Sequence, residues 1–364
     1  MATCIYCPAQ HFSVEDPLPA GLGNFENYEY LSDRICRACN GVCGKLDEQL
    51  CRSGPEALFR MFLGVKGRKR HTKSNPFYQG SAGGGRLEMT GKNQNTGSEV
   101  LIELLNDTEA RELRCAQLFA DDSTTPCTIP ILDGMTPPEF RAAFDRTGIK
   151  WFKKGVVYAG PEEQEWVESL IATLKFETKT TWTKPQGPVT YGPSVVKFEV
   201  TSRYFRAIAK IGFHYFLTKM PQFRGDEACF RDIRNFIITD SCPVDKCRNF
   251  VSYNGQHVAW QLNNGGRLTA WGHFLVAEMD YLTLKAKVEL FAGPGKRPLT
   301  YVVRLGRNPS LLDYRDGHAD FFEYFPKEQR GVFDGRVSPL PVSTPMPRLE
   351  IPILSLPNFS WQLP

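Results

Sequence analysis

The N-terminal fold of this chain is decided by two stretches, Cys4-Ile5-Tyr6-Cys7 and Cys36-Arg37-Ala38-Cys39. Both are Cys-x-x-Cys pairs, and 28 residues separate the first pair from the second. Such a pair forms a tight turn that presents two thiolates, and four thiolates complete a tetrahedral zinc shell with no open position for water. The spacing therefore predicts a structural zinc bound by Cys4, Cys7, Cys36 and Cys39, and it does not indicate zinc catalysis.

Two other interpretations of these cysteines stay open, namely disulfides and buried thiols without a metal. The chain contains 11 cysteines, and an odd number argues against a closed disulfide framework. Cys43 lies one helical turn beyond Cys39 and is the one rival ligand for the predicted zinc.

The residues around the two pairs extend the pattern. After the first pair come Glu15-Asp16, Pro19 and Leu22-Gly23, and the second pair runs into Asn40, Gly44 and Asp47. This layout resembles the HNH endonucleases, in particular the zinc-stapled ββα-metal (treble-clef) variant at the N-terminus of longer bacterial or phage-type proteins. The variant reads Cys-x-x-Cys, Glu-His-x-x-Pro-x-x-Leu-Gly and Cys-x-x-Cys-Asn-x-x-x-Gly-x-x-x-Asp. The resemblance covers residues 4 to about 50, and it departs from the variant at Asp16, where the variant has His.

The resemblance implies a site for one divalent cation, Mg²⁺ or Mn²⁺, bound by Glu15 and Asn40. Asp16 takes the place of the general base that activates water. A carboxylate with a pKa near 3.9 is a weaker base than an imidazole with a pKa near 6.5. His11, five residues upstream, is the other candidate for this base.

Three functional expectations follow from the resemblance. The first is an HNH-type endonuclease that hydrolyses phosphodiester bonds of nucleic acid, with catalysis impaired because of Asp16. The second is a catalytically inactive, zinc-stapled module that binds nucleic acid. The third is a structural cap on an unrelated α+β body.

The distribution of charge favours nucleic acid, DNA first, as the partner. The whole chain carries a formal net charge of only +4, so its bulk charge indicates little. Residues 1–50 contain three basic and seven acidic residues, whereas residues 51–75 contain seven basic residues and one acidic residue. The basic run can be a solvated linker or an arm that contacts phosphates. Its predicted contact residues are Lys66, Arg68, Lys69, Arg70 and Lys73.

The remaining pattern predicts an α+β fold. A small zinc-bound HNH-like domain (1–65) precedes a basic, Gly-rich linker (66–85), a mixed body (86–336) and a tail (337–364) with seven prolines. The body should contain a long helix over 202–219 and end in an antiparallel meander with strands over 257–262, 267–277, 281–291 and 299–305.

Three further features of the sequence bear on function or location. Cys229, Cys242, Cys247 and His257 can form a second zinc site, although loose spacing favours buried or surface thiols. His214, on the long helix, is predicted to be a core or rim histidine rather than a catalytic one. We find no signal peptide and no apolar run long enough to span a membrane, and we expect a cytoplasmic location.

Overall fold

The structure is a computed structural model, and its elements are given for the residues that it describes. These are residues 3–23, 25–26, 29–65, 88–93, 99–104, 110–112, 114–119, 127–131, 134–148, 150, 152–159, 163–174, 191–197, 200–239, 242–254, 271–280, 282–293, 300–309, 316–325, 330–334 and 359–361.

Helices and strands both occur along the chain. The helices are α1 (Arg37–Ser53), α2 (Pro55–Phe62), α3 (Pro137–Arg146), α4 (Gln164–Ala172), α5 (Ser202–Lys219), α6 (Arg231–Ile238) and α7 (Val244–Cys247). The strands are β1 (Phe12–Glu15), β2 (Phe25–Glu26), β3 (Leu31–Cys36), β4 (Glu88–Asn93), β5 (Glu99–Leu104), β6 (Ala110–Glu112), β7 (Cys115–Phe119), β8 (Cys127–Pro130), β9 (Lys154–Tyr158), β10 (Tyr191–Lys197), β11 (Val251–Asn254), β12 (Trp271–Met279), β13 (Thr283–Ala292), β14 (Thr300–Arg307), β15 (Asp316–Phe325), β16 (Arg330–Asp334) and β17 (Phe359–Trp361).

In the N-terminal segment, residues 3–65, three strands precede the helices α1 and α2. β1 and β3 form a two-stranded antiparallel sheet in which Phe12 faces Cys36, and α1 follows β3 without a loop. The Cys36 side chain accepts a hydrogen bond from the Cys39 backbone N–H and so caps the start of α1. α2 begins at Pro55, which suits a first helical position because its missing N–H would have no helical partner.

Helix α5 lies at the centre of the core and is buried on all sides. The predicted helix over 202–219 is confirmed at both ends. Thr201 caps it by accepting a hydrogen bond from the Tyr204 N–H. One face packs against a sheet, because a Cβ on Gly212 would lie 2.9 Å from Val303. Lys210 and His214, one turn apart on the other side, face the N-terminal segment.

That sheet has seven strands in the order β11-β14-β13-β12-β15-β16-β2. All neighbours are antiparallel except β16 and β2, which pair in parallel through Phe25 and Gly331. The predicted meander is confirmed in β12, β13 and β14, which pair in succession. The strand predicted over 257–262, and the start of the one over 267–277, lie outside the described residues. β15 and β16 were not predicted from the sequence.

The chain divides into two compact units. One unit contains Met1–Leu87 and Phe198–Leu356, and the other contains Glu88–Lys197 and Pro357–Pro364. In the second unit, one sheet has the order β17-β10-β4-β5-β6 and another has the order β8-β7-β9. The domain bounds predicted from the sequence (1–65, 66–85, 86–336 and 337–364) treat each domain as one continuous segment, and they stay a prediction. Of the predicted tail, only β17 belongs to the described residues.

Candidate metal centre and buried charge cluster

The four predicted zinc ligands come together at the end of the β1–β3 sheet. The Sγ atoms of Cys4, Cys7, Cys36 and Cys39 all lie within 4.8 Å of one another. The Cys7–Cys36 and Cys7–Cys39 Sγ distances are 3.5 and 3.7 Å. A tetrahedral shell with Zn–S bonds of about 2.3 Å requires S–S distances of about 3.8 Å, whereas a disulfide requires about 2.0 Å. The geometry therefore fits a four-thiolate metal shell and not a pair of disulfides.

Backbone N–H groups surround the same sulfur atoms. The Cys4 Sγ accepts from the Tyr6 N–H at 3.5 Å and from the Cys36 N–H at 3.3 Å. Burial raises the pKa of Cys36, but contacts that include the Cys39 N–H outweigh it, and the net pKa is about 7. Burial and the neighbouring sulfurs raise the pKa of Cys39. A bound divalent cation would reverse that effect, because it stabilises thiolates. These four cysteines can thus bind a metal such as zinc.

Three arginines attach this cysteine cluster to the rest of its unit. Arg34 donates to the Leu217 and Phe223 carbonyls near the end of α5, at 3.2 and 2.8 Å. Arg224 donates to the Thr3 carbonyl at 2.7 Å, and Arg234 donates to the Ile5 carbonyl at 2.6 Å. Residues on both sides of Cys4 are therefore fixed by cations from the body.

Glu15 points into the protein rather than toward solvent. Its side chain is about 5% exposed, and its Oε1 lies 2.5 Å from the Lys210 Nζ. Burial raises the pKa of Glu15, but Lys210 and His214 lower it more, to about 2. Glu15 is therefore an ionised carboxylate whose charge is matched by an ammonium.

Asn40, the other predicted cation ligand, ties α1 to β1. Its amide nitrogen donates to the Ser13 Oγ at 3.0 Å and to the Val14 carbonyl at 2.8 Å. Asp16 is half-buried, and its carbonyl accepts from the Lys210 Nζ at 2.9 Å. His11 is exposed. The roles of these residues in cation binding or base chemistry stay predictions.

Lys210 joins α5 to the N-terminal segment through a second carboxylate. Its side chain is fully buried, and its Nζ lies 3.1 and 3.0 Å from the two Asp47 carboxylate oxygens. Burial lowers the pKa of Lys210, but Asp47 and Glu15 raise it more, above its usual value. The sequence pattern matched Asp47 to the motif, but it carried no signal that Asp47 and Lys210 meet.

His214 is a core histidine, as predicted. Its Nε2 lies 2.8 Å from the Tyr6 hydroxyl, and its Nδ1 lies 3.5 Å from the Glu15 Oε1. Burial lowers the pKa of His214. The ring is thus held neutral between the first cysteine pair and the buried carboxylate.

The remaining predicted site residues are the basic run after α2, the other cysteines and His257. Lys66, Arg68, Lys69, Arg70, Lys73 and His257 lie outside the described residues. Within the described part of the chain, Cys4, Cys7, Cys36 and Cys39 are the one group of three or more potential ligands that meets, so Cys229, Cys242 and Cys247 form no such group, and Cys43 is not part of it. No helix in the described ranges is long and apolar enough to cross a membrane.

The exposed face of α1 carries two cations near its start, beside two glycines. Arg37 and Lys45 are exposed, and within the described part of the chain neither forms an ion pair. A Cβ on Gly41 or Gly44 would meet no atom of the described residues within 4 Å. The exposed face of α1 therefore presents helix backbone beside two positive charges that have no ion-pair partner among the described residues.

No protein-family model matches the chain, and no curated protein or solved structure matches it.

Proposed function

We propose that this chain is a metal-stapled module that binds nucleic acid through basic surfaces and does not cleave it. Zinc is the metal we assign to the four cysteines, because its tetrahedral thiolate shell matches their sulfur distances. The zinc is structural: four thiolates leave no position for water or substrate. Its role is to hold α1 against β1 and β3.

The observation that carries the loss of cleavage is the burial of Glu15 against Lys210. In the endonucleases that the sequence resembles, the corresponding acid would hold a cation facing a scissile phosphate. Here the carboxylate is about 5% exposed and 2.5 Å from an ammonium. The neighbouring position holds Asp16, a poor base beside a buried anion. Both departures remove a part that hydrolysis needs.

Support for nucleic acid as the partner comes from the charges on two surfaces. Arg37 and Lys45 flank the glycines of α1, where a phosphate backbone can approach the helix closely. The basic run over 66–73 follows α2 in sequence and adds five predicted phosphate contacts. Phosphate contacts of this kind position a protein without reading the sequence of the nucleic acid.

Equilibrium binding of the full zinc-loaded chain to labelled single-stranded DNA, double-stranded DNA and RNA of equal length tests the proposal. We expect affinity to fall with salt, and replacement of Lys66, Arg68, Lys69, Arg70 and Lys73 by Ala should flatten the log–log salt slope by up to about 4.5. Arg37→Ala with Lys45→Ala should weaken binding, whereas Arg304→Ala with Arg307→Ala, two exposed arginines on β14, should not. Absence of binding to all three probes would leave the structural-cap interpretation.

A plasmid-nicking assay with Mg²⁺ or Mn²⁺ tests the loss of cleavage. The wild-type chain should nick no faster than the double variant Glu15→Ala, Asn40→Ala. Cation-dependent nicking that this variant abolishes would instead support the endonuclease, and it would show that Glu15 leaves Lys210 during the reaction.

A further inference from the structure

Four oxygen atoms from three residues surround the Lys210 ammonium. The Nζ lies 2.5 Å from the Glu15 Oε1, 3.1 and 3.0 Å from the two Asp47 oxygens, and 2.9 Å from the Asp16 carbonyl. An ammonium has three N–H donors, so the oxygens outnumber its protons. When Asp47 is ionised, two carboxylates against one lysine also leave this cluster with one excess negative charge.

The chemistry of this oxygen set is that of a site for a hard divalent cation. Mg²⁺ and Mn²⁺ prefer carboxylate, carbonyl and water oxygens, and a divalent ion would cancel both carboxylate charges. His214 adds a second observation, since its fully buried Nδ1 faces the Glu15 Oε1 at 3.5 Å and has no hydrogen-bond partner among the described residues. A buried polar atom without a partner among the described residues thus faces the oxygen cluster.

A divalent cation does not fit while Lys210 is present. An ion bound at about 2.1 Å from the same oxygens would lie in contact with the ammonium and be repelled by it. The cation implied by the resemblance to HNH endonucleases is therefore incompatible with the arrangement of Glu15, Asp47 and Lys210.

We infer that Lys210 is the built-in cation of this oxygen cluster, and that shortening Lys210 converts the cluster into a binding site for a single Mn²⁺ or Mg²⁺. The oxygens need to move inward by less than about 1 Å to reach metal–ligand distances. This inference goes beyond the proposed function, and no part of it depends on nucleic acid.

Electron paramagnetic resonance with Mn²⁺ as the probe tests the inference on the full zinc-loaded chain. We expect the wild type to take up no Mn²⁺ at this cluster and Lys210→Ala to take up a single Mn²⁺ per chain. Mg²⁺ should compete for it. Adding Glu15→Gln to Lys210→Ala should weaken Mn²⁺ binding by about tenfold or more, since it removes a ligand charge.

Two variants serve as matched controls. Lys210→Met fills the space that the lysine occupied, so it should take up no Mn²⁺. Lys219→Ala empties a second position between two carboxylates, because the Lys219 Nζ lies 3.0 Å from Glu29 and 2.9 Å from Asp320. Glu29 is exposed there, so Lys219→Ala should not bind Mn²⁺ comparably.

Thermal unfolding of the same variants tests the inference even where Lys210→Ala folds poorly. Its midpoint should lie below that of the wild type and rise with Mn²⁺, while Lys210→Met should show no such recovery. Wild-type Mn²⁺ binding that Glu15→Gln abolishes would overturn the inference. So would a Lys210→Ala chain that binds no Mn²⁺, or one that stays unfolded with and without Mn²⁺. None of these outcomes alters the nucleic-acid binding measured on the wild type.

Discussion

Lys210 is a charged side chain fully buried in the middle of α5. Removing an ammonium from water costs several kcal/mol unless its partners compensate for the loss. Glu15, Asp47 and the Asp16 carbonyl provide that compensation, and all three belong to the N-terminal segment. The buried cluster therefore specifies how this segment docks on α5.

We expect Lys210→Met to lower the free energy of unfolding by about 3 kcal/mol or more, because it leaves two buried carboxylates without a counter-charge. Lys287→Met is the control: Lys287 is half-buried and pairs with Glu278 at 2.6 Å, so its loss should cost about 1 kcal/mol or less. Urea unfolding measures both. Equal costs for the two variants would contradict the compensation by Glu15 and Asp47.

Asp47 should make the stability depend on pH. Burial raises the pKa of Asp47 to about 7, against about 3.9 in the unfolded chain. Between these two pKa values, the folded chain binds more protons at Asp47 than the unfolded chain does. The contribution of Asp47 to the free energy of unfolding therefore falls as pH rises toward 7.

Urea unfolding of the wild type and Asp47→Asn between about pH 5 and 8 isolates this contribution. The wild type should lose stability relative to the variant as pH rises through this window. Asp33→Asn removes an exposed carboxylate on β3 and serves as the control. A wild-type-to-Asp47→Asn difference that stays constant with pH would rule out the titration of Asp47 in this range.

At the scale of elements, α1 and α5 differ in what their glycines do. A helical glycine costs about 0.5–1 kcal/mol relative to alanine, so its presence needs a reason. Gly212 is explained by packing, because a Cβ at this position would lie 2.9 Å from the Val303 Cγ2 and 3.2 Å from the Ala286 Cβ. For Gly41 and Gly44, a Cβ would meet none of the described residues within 4 Å. The described residues give no packing reason for these two glycines, and the proposed nucleic-acid contact at α1 would supply one.

Gly41→Ala and Gly44→Ala should each raise the free energy of unfolding by about 0.5–1 kcal/mol. Gly212→Ala should lower it by about 1–3 kcal/mol, because the added methyl group overpacks the helix–sheet contact. Chemical denaturation of the three variants measures these changes in the free energy of unfolding. If the α1 face contacts nucleic acid, the two stabilising substitutions should also weaken binding; unchanged affinity would remove α1 from the proposed interface.

At the scale of the whole molecule, the N-terminal segment and the segment 198–356 form one unit around α5. β2 joins the seven-stranded sheet beside β16, although about 300 residues separate them in sequence. His273 secures the same junction, because its Nε2 lies 3.1 Å from the Leu22 carbonyl while its Nδ1 accepts from the Phe291 N–H. Arg224 and Arg234 attach the residues on either side of Cys4 to the same unit, through the Thr3 and Ile5 carbonyls.

We expect zinc-loaded protein to contain a single zinc per chain, and Cys36→Ser to lose zinc and lower the unfolding midpoint. Loss of one thiolate opens the shell, and binding energy of a structural zinc is folding energy. Cys43→Ala is the control, because Cys43 is buried outside the cluster and should leave the zinc content unchanged. Elemental analysis and thermal unfolding check both. Zinc retained in Cys36→Ser but lost in Cys43→Ala would overturn the assigned ligands.

Local pattern alone determined the cysteine cluster, the helix α5 and the meander strands. Cys-x-x-Cys turns, a continuous apolar helical stripe and alternating apolar residues over 281–291 are all encoded within short windows. Only the tertiary structure decided the environment of Glu15, the pairing of β2 with β16 and the meeting of Asp47 with Lys210. These contacts join residues 163 or more positions apart. A buried ammonium has no signature in sequence, because its partners are chosen by the packing that removes it from water.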